Sequence, residues 1–178
     1  MKRACALLLL LSLLLALCPA RAENVDDALV VGVLSTRTTE INPLNPLEAG
    51  MMSLYQMVYE SLVYIDDNGL PQPLLAESWT ETGSGKTWTF SLRKDIYFSD
   101  GSPLTAADVA ASLQYILDMA NNEELADNGF YQNVKYIVAS VSAPDERTVQ
   151  VKAKRAYYGL LYAMAFPVVP AAYVGQSN

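Results

Sequence analysis

An α+β fold is what this sequence predicts, and three observations carry that expectation. Short apolar or alternating runs bounded by turn residues recur along the chain, at Leu29–Ser35 (LVVGVLS), Leu62–Ile65 and Thr87–Leu92 (TWTFSL). One amphipathic helix with its own start signal follows Thr105. Strands and helices do not alternate regularly enough for a parallel doubly wound sheet, and there is no internal repeat or low-complexity tract.

The first 22 residues read as a signal peptide. Lys2 and Arg3 precede an apolar run from Ala4 to Leu17 broken only by Ser12, and Ala20-Arg21-Ala22 supplies a small-x-small cleavage pattern. The run has about 14 residues, short of the roughly 20 that a spanning helix needs. Both cysteines, Cys5 and Cys18, lie inside it. Leu15-Ala16-Leu17-Cys18 resembles a lipoprotein processing site, although Leu17 stands where a small residue is usual. Lipidation at Cys18 and simple cleavage after Ala22 both stay open. An exported protein is expected in either case, in the periplasm or on the outer face of the cytoplasmic membrane.

Cleavage after Ala22 leaves 156 of the 178 residues, with 9 basic against 19 acidic side chains. That balance opposes nucleic acid and anionic membrane surfaces, which need clustered Lys and Arg. Without a mature cysteine, no disulfide framework is available. The chain also has no histidine, which removes the commonest general base and metal ligand.

The elements follow in order. Leu29–Ser35 reads as a buried strand, and Asn42-Pro43 and Asn45-Pro46 as turns. Met51–Tyr59 has no breaker and reads as a helix presenting Leu54, Met57 and Val58 on one face. A strand at Leu62–Ile65 meets Asp66-Asp67-Asn68-Gly69, whose Asn-Gly suits a hairpin turn. Pro71, Pro73, Leu74 and Leu75 lead into Glu77-Ser78-Trp79, and Thr82–Lys86 is a loop. Thr87–Leu92 alternates, placing Trp88, Phe90 and Leu92 on one face. Ile96–Phe98 reads as a short strand ending at the turn cluster Ser99–Pro103. Thr105 with Asp108 three residues on forms a capping box, after which Val109, Leu113, Ile116, Leu117 and Ala120 line one helical face. Asn121–Asn128 stops that helix. Val134–Val141 and Thr148–Val151 read as paired strands around Pro144–Arg147. Tyr157–Ala165 reads as a short helix that Phe166–Pro170 breaks.

Chemistry-bearing motifs are few. Gly83-Ser84-Gly85-Lys86-Thr87 looks like the end of a phosphate-binding loop, but Thr80 stands where that pattern needs glycine and a strand follows instead of a helix. The acidic turn at Asp66 lacks the carboxylate series of a calcium loop. Carboxylate pairs such as Asp26-Asp27 and Glu123-Glu124 sit in polar stretches and read as solvated surface. No catalytic residue, metal ligand or cofactor is assigned.

One long run carries more information. Leu74–Trp79 (LLAESW), then Trp88–Arg93 (WTFSLR), then Ile96–Val109 (IYFSDGSPLTAADV) resembles the signature of family 5 extracellular solute-binding proteins, which serve ABC importers of oligopeptides, dipeptides and nickel. Asn42-Pro43, Tyr59–Leu62, Asp145–Val149 and Pro167–Pro170 extend the likeness over nearly the whole mature chain. The resemblance implies a partial periplasmic-binding-protein type II fold. Residues 23–50 would be the opening strand and loop of ligand-binding lobe I, and residues 51–178 most of an extra α+β domain. Members of the family are roughly three times longer, so the chain reads as an amino-terminal fragment without the second lobe. The acidic residue that such proteins use for a peptide's amino terminus would lie in that missing lobe.

By the same resemblance the peptide site includes backbone of Leu47, Glu48, Ala49 and Gly50, pairing with a peptide like an added strand; a plain linker is the other reading. The implied function is non-enzymatic capture of oligopeptides or a similar solute for ABC importer permease subunits, with no nucleic-acid partner and membrane contact only through the transporter or a lipid anchor. Peptides, nickel chelates, haem and sugars are all bound on this scaffold. A secreted carboxylate-based hydrolase and a sensory or adhesive surface module are the alternatives.

Overall fold

The computed structural model describes residues 31–32, 42–46, 48–122 and 130–175. The signal segment, Cys18, most of Leu29–Ser35, Leu47, and the polar stretch from Glu123 to Asn128 lie outside the described residues. The chain divides into two compact units, Met1–Gly32 and Val33–Asn178. Only Val31 and Gly32 of the first are described, and every element of the fold belongs to the second.

Its elements run in the order α1 (Ala49–Val58), β1 (Val63–Ile65), β2 (Pro71–Pro73), β3 (Ala76–Thr82), β4 (Thr87–Leu92), α2 (Ala106–Asn121), a helical turn α3 (Val134–Ile137), β5 (Val138–Asp145), β6 (Thr148–Ala153), a second turn α4 (Leu160–Ala163), and a 3₁₀ turn at Ala171–Tyr173. β1 and β2 form a small antiparallel hairpin, and the other four strands make one sheet in the order β3-β4-β6-β5.

The core follows from two strong periodicities. Trp88, Phe90 and Leu92 of β4 are buried, as are Val149, Val151 and Ala153 of β6. The antiparallel register sets Trp88 opposite Val151 and Phe90 opposite Val149, which merges the two strands into one apolar face. Val109, Leu113, Ile116 and Leu117 of α2 join that face in a single core, together with Leu160, Met164, Phe166, Val168 and Val169 from the end of the chain. The other side of the sheet is lined by hydroxyls and amides. Thr80, Thr89, Gln150 and Ser142 form one cross-strand row, and Thr82, Thr87, Lys152 and Ser140 another. An antiparallel sheet with one packed and one polar side has this alternation.

The capping box is present. Asp108 Oδ2 accepts from the Thr105 N–H and from the Thr105 hydroxyl, both at 2.8 Å. The next N–H of the helix, that of Ala106, donates to the Glu146 carbonyl at 2.8 Å, which ties the helix start to the β5–β6 turn.

Several expectations are corrected. In α1 the one buried residue is Tyr55, while Met57 and Val58 are exposed. The helix also opens at Ala49, two residues ahead of the Met51 start that the pattern predicts. Ile96–Phe98 provides only an isolated bridge from Tyr97 to Pro103. The strand expected at Val134–Val141 begins at Val138, after a helical turn, and the helix expected at Tyr157–Ala165 shrinks to Leu160–Ala163. β2 and β3 carry no strand signal in the sequence. β2 holds two prolines, tolerated because it pairs on one side only. β3 is an edge strand with an irregular register between Ala76 and Ser78. The Gly83–Lys86 turn leads straight into β4. There Gly85 takes φ +85°, and a side chain would meet the Tyr157 backbone nitrogen at 3.1 Å.

Candidate functional site

The segment singled out from sequence starts in a turn fixed by its own side chains. The Leu44 N–H donates to Asn42 Oδ1 at 3.0 Å and the Asn45 N–H to the Asn42 carbonyl at 3.2 Å. Asn42 Nδ2 reaches 73 residues along the chain to the Tyr115 hydroxyl of α2 at 3.1 Å. The Phe130 N–H donates to the Pro46 carbonyl at 3.4 Å. These bonds hold the entrance to α1 against α2 and the segment that follows it.

Leu47 itself lies outside the described residues. Glu48 is extended, with φ −136° and ψ 140°, and is the N-cap residue of α1. Ala49 and Gly50 are the first residues of that helix, so the expected run of strand-like backbone shrinks to Glu48. Pro46 is the last proline before the helix, and Gly50 is accommodated in its first turn. A helix start presents backbone N–H groups that have no partner inside the helix, and the first intrahelical bond runs from Met52 to the Glu48 carbonyl. This geometry can donate to an oxygen atom but cannot build a strand ladder. Farther in, the Tyr131 hydroxyl donates to Met52 Sδ at 3.3 Å. Burial raises the Tyr131 phenol well above its ordinary range.

A second feature is an open depression of about 570 Å³ at the β5–β6 turn, lined by Glu77, Ser91, Asp145, Glu146, Arg147 and Thr148. Three of its four charged residues, Glu77, Asp145 and Arg147, are bonded to one another. Arg147 Nη2 donates to Glu77 Oε1 at 3.1 Å and to the Leu92 carbonyl at 2.6 Å, while the Arg147 N–H donates to Asp145 Oδ1 at 2.9 Å. That last bond is the main reason the Asp145 carboxyl sits below its usual range. The cluster clasps the turn to β3 and β4. In the sequence Pro144–Arg147 reads only as a turn; nothing in its spacing announces that the arginine crosses to Glu77.

Among the described residues, no group of three or more His, Cys, Asp or Glu is placed to hold a metal ion. No helix among them is long and apolar enough to cross a membrane.

Comparison with known proteins gives a consistent result. The profile of the bacterial extracellular solute-binding proteins, family 5, middle region, matches residues 71–177. The chain is 36% identical over 132 residues to the nickel-binding periplasmic protein of Escherichia coli K12, covering 71% of this chain and 24% of that protein. It is 32% identical over 154 residues to the glutathione-binding protein GsiB of E. coli O6:K15:H31, covering 86% of this chain and 28% of the relative. Among solved structures, NikA from Brucella suis in complex with Fe(III)-EDTA superposes with a TM-score of 0.60 at 31% identity, over 74% of this chain and 26% of that one. The chain thus spans about a quarter of the length of the relatives it matches.

Proposed function

Because the chain belongs to the bacterial extracellular solute-binding proteins of family 5, we propose that it forms part of an exported solute-binding component of an ABC importer, capturing oligopeptides or a similar small solute for the permease subunits. The match over residues 71–177 carries this reading. It falls on the sheet, α2 and the clasp at Arg147, all of which are scaffold. Two relatives of comparable similarity bear nickel and glutathione in their names, so the class of protein is better supported than the solute. Two of the three carboxylates at the depression beside the β5–β6 turn, Glu77 and Asp145, are engaged by Arg147, which favours a binding module over a carboxylate-based hydrolase. Export rests on the signal-peptide pattern of residues 1–22 and on the periplasmic location in the name of the nickel-binding relative.

Leu47, Glu48, Ala49 and Gly50 are proposed as the part of this chain that meets the solute, through backbone at the start of α1. Such an edge offers a few hydrogen bonds worth about 1 kcal/mol each. That is less than the roughly 4–15 kcal/mol lost on immobilising a free ligand. Enclosed sites bury about 70–90% of a small ligand, and one edge cannot. The rest of a cleft has to come from further polypeptide.

The test is a chimera in which this chain replaces the portion of the E. coli nickel-binding protein that it matches. Calorimetric titration with a nickel chelate should show saturable binding within about tenfold of the parent relative, roughly 1.4 kcal/mol. A folded chimera that binds nothing would remove the functional reading. The chain alone, titrated with mixed tri- to pentapeptides, should give no saturable heat. Micromolar binding there would mean that these residues hold a complete site.

A further inference from the structure

The chain carries a formal net charge of −7, yet its cations are unevenly placed. Lys152-Ala153-Lys154-Arg155 spans the end of β6. The register sets Lys152 opposite Thr87, the first residue of β4, and the Ala153 N–H donates to the Lys86 carbonyl at 2.8 Å. The Lys154 N–H donates to the Ile137 carbonyl at 2.9 Å, which brings in α3 with Lys135. Lys86, Lys135, Lys152, Lys154 and Arg155 thus share the end of the sheet at the β3–β4 turn. Along the segments that form this end, residues 81–88, 134–140 and 151–158, Glu81 is the only carboxylate, and it accepts the Gly85 N–H. Among the described residues the two ion pairs take Arg93 and Arg147 instead. Those lie at the opposite end, where Glu77, Asp145 and Glu146 surround Arg147. Exposed tyrosines stand among the five cations. Tyr136, 63% exposed, lies beneath Lys135 with Nζ 5.3 Å from its ring centroid. Tyr158, 66% exposed, meets Trp88 edge-on.

We propose that this end of the sheet docks on an anionic lipid surface, with the acidic end turned away from it. The overall charge balance opposes such surfaces only while the charges are mixed, and here the register of β4 and β6 separates them. Clusters of about four to eight Lys and Arg attract anionic headgroups, each cation adding to the attraction. Tyrosines and lysine stems, apolar along the body and polar at the tip, suit the boundary between headgroups and acyl chains. The choice of lipid over nucleic acid rests on the proposed function, which puts the protein outside the cell and beside a membrane-embedded importer.

Cosedimentation with vesicles tests this on residues 23–178 and on the chimera with the nickel-binding protein, so that an isolated chain that does not fold leaves the chimera to decide. Both should bind phosphatidylglycerol vesicles at low salt and leave them at about 0.5 M NaCl, where charges are screened within about 4 Å. Neither should bind vesicles of phosphatidylcholine alone. Lys152→Gln with Lys154→Gln should weaken binding by more than about tenfold. The charge-matched pair at the opposite end, Arg93→Gln with Lys94→Gln, should change it by less than about twofold. Equal binding to the two kinds of vesicle, or equal weakening by the two pairs, would overturn the proposal. Retention on dextran sulfate without vesicle binding would assign the cluster to a soluble polyanion and also overturn it. Inorganic phosphate at about 10 mM, added at constant ionic strength, should displace nothing; displacement would mean a site for the free anion instead. A chimera that binds its nickel chelate but no vesicle would remove the docking surface alone. One that binds vesicles but no chelate would keep that surface and remove the functional reading.

Discussion

The hydroxyl of Ser112 and the backbone of Val169 exchange two hydrogen bonds across 57 residues of chain. Ser112 Oγ donates to the Val169 carbonyl at 3.2 Å and accepts from the Val169 N–H at 3.1 Å. Ser112 is fully buried, and so are Val109, Leu113 and Ile116 beside it on α2. The pair is how α2 fixes the irregular segment that closes the core.

Ser112→Ala should therefore cost more than the loss of a surface hydroxyl. It removes both bonds and strands a buried N–H and a buried carbonyl, which costs about 1–3 kcal/mol. The denaturant midpoint should fall with the slope unchanged. A midpoint equal to the parent's would mean that these backbone groups find another partner.

At the start of the same helix, Asp108 matters more than Thr105. Its carboxylate takes the Thr105 N–H and hydroxyl on Oδ2, and the Ala171 N–H on Oδ1 at 2.8 Å. Thr105→Ala should cost about 1 kcal/mol, the usual loss for a cap residue. Asp108→Ala unties both the helix start and the 3₁₀ turn, and hydrogen bonds to a charged acceptor are worth about 1.5–3 kcal/mol. Chemical denaturation of the two variants should rank them in that order; the reverse order would show that the hydroxyl carries the cap.

Trp88 is 5% exposed, donates from Nε1 to the Gly85 carbonyl at 3.2 Å, and meets the Tyr158 ring edge-on at 6.4 Å between centroids. Trp88→Ala should cost about 3–5 kcal/mol. Trp88→Phe keeps most of the packing and removes one of the two donors to the Gly85 carbonyl, leaving the Tyr157 N–H at 3.2 Å, so it should cost no more than about 1 kcal/mol. Since Trp79 is only half-buried, the Phe variant should also lose the bluer part of the tryptophan emission. An unchanged spectrum would contradict the burial of Trp88.

The elements legible in the sequence are those where one face is apolar and the other is not. β4 alternates with no exception, and α2 has a capped start and one continuous stripe, so periodicity alone locates both. In α1 apolar residues occur all round the helix, so periodicity cannot choose a face; it points to Leu54, Met57 and Val58, whereas Tyr55 is the residue that is buried. Edge strands are illegible for a related reason. β3 (AESWTET) pairs on one side only and places glutamates at Glu77 and Glu81, which suits an edge that must not recruit another strand. The candidate site shows the same limit. Asn42-Pro43 and Asn45-Pro46 announce a turn, but the helix begins at Ala49 and takes in Gly50, a residue that local propensity would leave outside it. The partners that pin that turn, Tyr115 and Phe130, lie more than 70 residues away in the chain, a distance over which local pattern says nothing.

Acid should unfold the chain through three aspartates in tight turns, whose carboxyls are held below their ordinary value by hydrogen bonds that only the folded chain supplies. Asp66 receives the Leu70 N–H foremost, then Gln72 Nε2 and the Asn68 N–H. Asp100 receives the Ser102 hydroxyl and N–H, and Asp145 receives the Arg147 N–H. In each the folded pKa lies below the unfolded one. The unfolded chain therefore binds protons first as pH falls, and stability present above the unfolded pKa of about 4 is lost as pH drops through the folded value. With no histidine anywhere in the sequence, no imidazole titrates between pH 5 and 8. The thermal midpoint should be nearly level from pH 7 to about 5 and decline below about 4. Asp66→Asn keeps an oxygen acceptor for the turn but removes the titrating group, so its acid decline should be shallower than the parent's. Melting curves recorded from about pH 7 to about pH 2 on both proteins decide the matter. Parallel acid limbs would show that the Asp66 turn does not couple its proton to folding.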